Sequence, residues 1–273
     1  MLTTFYCRYF QRAFFWSVPI GGLAGLIGLG GGEFRLPVLT QFIGFPARAA
    51  IPLNLLISLV TLSFALAARN HVVPVSGVMA HVPEMAGLTV GGLFSAIYGT
   101  HLVLRMTYRR LAIAMAMLLA ALGVLLLIEA FVPFDKSTLG AESLLVRALT
   151  GVLIGLVVGV VSSMLGVAGG ELLIPALVFV FGADIRVAGS ASLLISLAIV
   201  ATGVWHYHRV GALPMTGGPR RIAMSMSAGS LIGAALGGLA VAVAPTEFLK
   251  VVLGSVLLLA AVKTIHCSAT SRR

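Results

Sequence analysis

Two runs in this chain, "YRRLAIAMAMLLAALGVLLLIEAF" at 108–131 and "IRVAGSASLLISLAIVATGVWH" at 185–206, are as long as a bilayer is thick. A helix needs about 20 mostly apolar residues to cross a hydrocarbon core. Lipid offers backbone groups no water, so runs of this kind fold as helices. Composition agrees: 59% of the 273 residues are hydrophobic and 10% charged, where soluble domains sit near roughly 45–50% and 25%. The chain reads as an all-α polytopic membrane protein. Its first apolar run, behind Arg8 and Arg12, continues past a signal-peptide core without a small-x-small cleavage site, so it reads as an uncleaved first segment.

The net charge of +10 would point to nucleic acid in a soluble protein. Here most Arg and Lys flank apolar segments and serve to set topology. Cys7 and Cys267 lie near opposite ends of the chain and give neither a disulfide framework nor metal-ligand spacing.

A second constraint is internal. Shifting the sequence by 138 residues lays Gly28–Leu59 on Gly166–Leu197 without a gap, and 14 of the 32 positions are identical. Among them are Gly31/Gly169, Gly32/Gly170, Glu33/Glu171, Pro37/Pro175, Gly44/Gly182 and Arg48/Arg186. The same shift pairs Gly91 with Gly229 and Gly99 with Gly237. The chain therefore divides into a first membrane repeat at 13–131, a polar connecting segment at 132–146 and a second repeat at 147–266.

Each repeat reads as five elements. The first has an apolar arm at about 13–29, a glycine break, a short segment from Glu33 to Gly44, and long helices near 46–68, 84–104 and 109–131. The second has them near 147–166, 171–182, 185–206, 219–243 and 247–266. Twelve residues of helix reach only about 18 Å, short of the ~30 Å core. An arm, a break and a half-length return make a re-entrant hairpin. Two inverted repeats, each a re-entrant helical hairpin plus three spanning helices, put 12 Lys and Arg inside and five outside, with Arg35 in the hairpin. Eight spans in parallel repeats give 11 against seven, so the positive-inside rule favours inversion with both termini cytoplasmic.

Inverted hairpins bring their glycine tips together near the midplane, where many inverted-repeat transporters bind substrate. Gly30, Gly31, Gly32, Gly169 and Gly170 leave backbone N–H groups unobstructed, and a half-helix starting at residue 33 or 171 aims its positive end at the pocket. Such a pocket favours an anion. The structural alternative is close helix packing, since Gly21/Gly25 and Gly28/Gly32 both fit GxxxG. Arg35, matched by Leu173 in the second copy, has planar donors suited to an oxyanion; an internal ion pair or snorkelling is its other reading. Glu33 and Glu171 occupy first helical turns, where a carboxylate caps the helix or carries a coupled proton. Asn54/Ser192 and Ser58/Ser196 lie four residues apart on one face, with Ser190 nearby, and serve either a substrate oxygen or bonds between helices.

In "WHYHRVG" at 205–211, His206 and His208 are two apart and do not share a helical face. Trp205, Tyr207 and Arg209 read as interfacial anchors. "GLGGGE" brushes the dinucleotide fingerprint, but no strand precedes it. No metal, no cofactor and no enzyme constellation is expected.

"GLGGGEFRLPVL" at 28–39 and "GVAGGELLIPAL" at 166–177, in a duplicated chain of this length, resemble the TauE/SafE sulfite-exporter family, also called TSUP. The resemblance covers nearly the whole chain. It implies a transporter of small anions, often sulfite, sulfonates or other sulfur compounds, across the cytoplasmic membrane, in some members with protons. The family pattern is often apolar after the glycines, where both copies here have Glu, and Arg35 is a further polar departure. The function expected is thus a secondary transporter of small organic or sulfur-containing anions by alternating access. The alternatives are an anion channel, or a transporter of another small solute or a metal. The expected partners are a small anionic substrate, the lipid bilayer and protons, with room for a homo-oligomer and no nucleic acid.

Overall fold

A backbone in lipid must satisfy its own N–H and C=O groups, and the helix does so locally. The computed structural model describes residues 2–70, 75–103, 108–131, 143–165, 167–214 and 217–270, and no strand occurs among them. Its long helices are α1 (Leu2–Ile27), α3 (Ala47–Asn70), α5 (Val82–Val103), α6 (Tyr108–Phe131), α7 (Leu144–Leu165), α9 (Ile185–Arg209), α10 (Gly217–Ala240) and α11 (Thr246–Thr270). The short ones are α2 (Gly32–Pro37), α4 (Val75–Met79) and α8 (Gly170–Pro175). Among the described residues, Ala49–Asn70, Ile185–Arg209 and Gly217–Ala240 are long and apolar enough to cross a membrane. Arg105, Gly166 and 132–142 of the connecting segment lie outside the described residues, as do the side chains of Cys7, Arg48 and Cys267.

The half-length returns occur where the sequence puts them. Each is one turn of α-helix continued by a π turn, Val38–Phe42 after α2 and Ala176–Val180 after α8. The arms leading into them are longer than expected. The 26 residues of α1 make about 39 Å of helix, because nothing in the basic N-terminal stretch stops propagation and Pro19 is absorbed without ending the helix. In α7, 22 residues give about 33 Å.

Small residues decide which helices touch, because lipid supplies no hydrophobic drive and close backbone approach must replace it. On α10, Gly229 lies against Phe14, Gly233 against Val18 and Gly237 against Gly22, so α1 and α10 run in the same direction. Gly87 lies against Ala148, Gly91 against Val152 and Gly159 against Gly92, so α5 and α7 do likewise. Under the 138-residue shift these two pairs are the same pair. Each half thus packs its first helix on the other half's partner, and the halves interlock. At the start of α5 and α7, Arg147 pairs with the fully buried Glu84, and His81 approaches the same carboxylate at 3.7 Å.

The remaining equivalent helices meet head to tail. Arg69 near the end of α3 lies against Gly189 near the start of α9, whereas Leu55 near the start of α3 meets Gly203 near the end of α9. Likewise Glu129 of α6 bonds Lys250 of α11 at 3.2 Å, while Gly123 meets Gly254.

Candidate functional site

Where α1 stops, the chain needs a backbone turn that an L side chain resists. Gly31 (φ 70°) and Gly169 (φ 78°), the residues before α2 and α8, both take the left-handed conformation, which glycine adopts without steric cost. The two breaks abut inside the bundle. A Cβ on Gly170 would lie 2.9 Å from the Leu29 backbone, and one on Gly30 would lie 2.9 Å from the Ala168 methyl. Gly30 also touches Leu62, well inside α3.

Side chains from three helices satisfy the carbonyls of the first break. Asn54 Nδ2 donates to Gly32 O at 3.0 Å, Ser192 Oγ to Gly28 O at 3.2 Å, and Arg35 Nη2 to Gly30 O at 3.3 Å. Arg35 is fully buried. Its Nη1 donates to Ser58 Oγ at 3.0 Å, and its Nη2 also reaches Thr61 Oγ1 at 3.2 Å and Ser230 Oγ of α10 at 3.4 Å. Glu33, two residues before it, acts on this guanidinium electrostatically. Arg35 Nε has no hydrogen-bond partner among the described residues. The arginine therefore ties the break to α3 and α10 while keeping a donor in reserve.

Of the residues expected from sequence, Gly30, Gly31, Gly32, Arg35, Asn54, Ser58 and Ser192 gather at the first break. Gly169 and Gly170 form the second, with Glu171 buried just after it. One carboxylate oxygen of Glu171, Oε1, is buried with no hydrogen-bond partner among the described residues. Ser196 Oγ is in the same condition. Gly21 and Gly25 serve packing instead: Gly21 lies against Ser230, and Gly25 against Ala234 and Gly238.

Arg69 takes part in this region as well, a role beyond topology. It is 1% exposed. Its Nη1 donates to Gly25 O and Leu26 O, the last carbonyls of α1, at 3.1 and 3.0 Å. Its Nε donates to Ser190 Oγ at 3.0 Å, and its Nη2 to Arg186 O at 2.7 Å. An arginine at the end of an apolar segment looks the same whether it snorkels or turns inward, so no local signal marks it.

Two cavities open on the α3–α9 pair. One of about 350 Å³ lies at the end of α3, lined by Ser63, Arg69, Asn70, Val78 and Ser190 among others. The other, about 220 Å³, lies around the end of α9, lined by Ser162, Ile199, Thr202, His206 and Tyr207 among others. Tyr207 is the 138-residue counterpart of Arg69. At the mouth of the second cavity, the Arg209 guanidinium stacks 4.6 Å from the exposed Trp205 ring, an arrangement suited to an interface.

Residues 149–272 match the family model of the sulfite exporter TauE/SafE. This part of the chain is similar to the TauE/SafE family. No curated protein and no solved structure matches the chain. The TauE/SafE stretch holds the second break, Glu171 and helices α8 to α11, and the internal duplication ties the first half to it. TauE/SafE is a membrane-transporter family, in keeping with these apolar helices.

The two halves differ most around Arg35. Across the 138-residue shift Arg35 pairs with Leu173, Thr61 with Ile199, and Ser230 with Gly92 of the first half. Ile199 presses its terminal methyl onto Gly92, so apolar packing replaces the polar nest. Ser196 is conserved between the halves, yet the arginine that bonds its counterpart Ser58 is missing. Its hydroxyl has no partner among the described residues.

Proposed function

We propose that this chain is a secondary transporter of small organic or sulfur-containing anions, sulfite- or sulfonate-like. It moves them across the cytoplasmic membrane by alternating access, with protons as the coupling ion. The observation that carries the reading is the meeting of the two glycine breaks inside the bundle, between cavities at opposite ends of the α3–α9 pair. The buried Leu62, Leu193 and Val200 pack together in the α3–α9 seam. A closed apolar seam between two half-open cavities suits alternating access better than an open pore. Arg35, the second Nδ2 hydrogen of Asn54 and the Ser58 hydroxyl are the substrate contacts in this reading, and Ser192, whose one hydroxyl hydrogen goes to Gly28 O, holds the break beside them. Glu171, with an oxygen that has no hydrogen-bond partner among the described residues, is the proton carrier, and Glu33 tunes Arg35.

Inverted repeats are part of the proposal. The head-to-tail crossing of α3 with α9, and of α6 with α11, supports them, because helices related by an axis along the membrane normal would run the same way. Arg209, Arg220 and Arg221 put the end of α9 on the cytoplasmic side by the positive-inside rule. Single cysteines at Ala80 and Ala212 are then labelled from opposite sides of the membrane; labelling from one side sinks the inverted arrangement.

Uptake by purified protein in liposomes tests the function. Sulfite, a small sulfonate and a carboxylate are offered with and without a proton gradient. The expected result is saturable uptake of at least one anion that rises with the gradient. Glu171→Gln is expected to abolish the gradient dependence while exchange down a concentration gradient persists. A folded protein that moves none of the three overturns the reading.

A further inference from the structure

Arg69 is buried, positively charged and without a carboxylate partner among the described residues. Its partners among the described residues are one hydroxyl and three carbonyls, all neutral, and no ion pair involves it there. A guanidinium carries five N–H donors. Four are used by those bonds, so among the described residues one Nη2 hydrogen remains. Capping α1 accounts for part of its charge, but a helix end supplies only about half an elementary charge. Roughly half of the guanidinium charge is left to the cavity that Arg69 lines.

The cavity adds what a bare cap lacks. Ser190 Oγ accepts from Arg69 Nε, so its own O–H is available to donate beside the spare Nη2 hydrogen. At about 350 Å³, the space falls within the range of small-ligand pockets. Leu66, Ala67, Val78 and Leu194 form its apolar wall. At the other end of α9 the equivalent position is the uncharged Tyr207, so the buried arginine that lines the first cavity has no counterpart at that position.

We propose that the Arg69 cavity is a second anion site, an entry station ahead of the glycine breaks, selective for a singly charged oxyanion bearing a short alkyl group. Two adjacent donors match two oxygens of one sulfonate or carboxylate group, and the apolar wall takes the alkyl chain. A dianion such as sulfate leaves about one and a half negative charges unbalanced in a low-dielectric cavity, against about half of one for a monoanion, and is rejected. This inference rests on the transporter reading for its role as an entry station, but the binding itself is tested separately.

The test uses the full chain with Cys7→Ser, Cys267→Ser and Ser63→Cys in liposomes. Ser63 is exposed at the cavity and bonds only within its own helix. An anionic thiosulfonate reagent is expected to modify this cysteine at least 10-fold faster than a cationic one. Millimolar propanesulfonate slows the reaction at least 10-fold, and sulfate does not. Arg69→Lys keeps the reagent preference and weakens protection, and Arg69→Gln loses both. Because Arg69→Gln removes the cap on α1, Ser190→Ala is the second variant, with normal yield and protection weakened about 10-fold. Flux of labelled propanesulfonate is followed in the same liposomes. Flux without protection overturns the site and leaves the transporter reading standing; protection without flux supports the site and removes the transporter reading. Equal protection by sulfate overturns the monoanion selectivity.

Discussion

Alanine at Gly233 is expected to abolish recovery of folded protein, whereas alanine at Gly22, which faces it across the same helix pair, is tolerated. A Cβ on Gly233 would overlap the Val18 carbonyl and lie 2.6 Å from the Gly22 nitrogen. One on Gly22 has only Gly233 O nearby, at 3.8 Å, an ordinary contact. Overpacking a core costs about 1–3 kcal/mol where side chains can yield. Here the obstacle is backbone, so the helices must separate and the cost exceeds that range. The strain does not stay local, because α1 carries the first glycine break at its end and that break abuts the second. Monodisperse yield in detergent and the thermal midpoint give the readout. Equal behaviour of the two variants would mean that α1 and α10 sit further apart than described.

The second large effect is expected at Arg35. Arg35→Ala removes the donor to Gly30 O, Ser58, Thr61 and Ser230 together. Bonds from a charged donor are worth about 1.5–3 kcal/mol each, with desolvation costs for acceptors left unmet. The expense of burying a guanidinium in lipid offsets part of that, leaving a net destabilisation of about 3 kcal/mol. Transport is expected to fall more than 100-fold. Arg35→Lys restores the charge but not the planar fork, so it recovers stability in part and transport little. Thermal melts and initial uptake rates separate the two effects. A variant with wild-type melting and wild-type uptake would show that the nest is dispensable.

The particular elements show why some of the site was legible and some was not. Gly31 and Gly169 stand where a helix must stop and restart, and their repetition 138 residues apart marked both breaks and the short returns α2 and α8. Asn54 and Ser58 were legible because a spacing of four puts both on one helical face. Arg35 stood out as a charge in an apolar stretch, but its partner Ser230 is 195 residues away and carries no pattern that points to it. Arg69, at the end of an apolar run, has in the sequence only the signature of a charge that sets topology. Its inward turn depends on α1 ending beside α3, a fact of helix packing that no window of sequence contains. The lengths of α1 and α7 were underestimated because a hydropathy reading stops at the polar flank, whereas helix propagation does not.

What the sequence by itself determined is local or repeated: apolar runs that lipid forces into helices, glycine breaks that end them, and a duplication that makes the two halves alike. What only the tertiary structure decided is which distant groups meet: α1 on α10, Arg35 with Ser230, Arg69 with Ser190, and one glycine break against the other. The physical reason is that hydrophobic length acts within a segment, while helices in lipid associate through shape. That fit is set by small residues on two surfaces at once, and it exists only when both are folded.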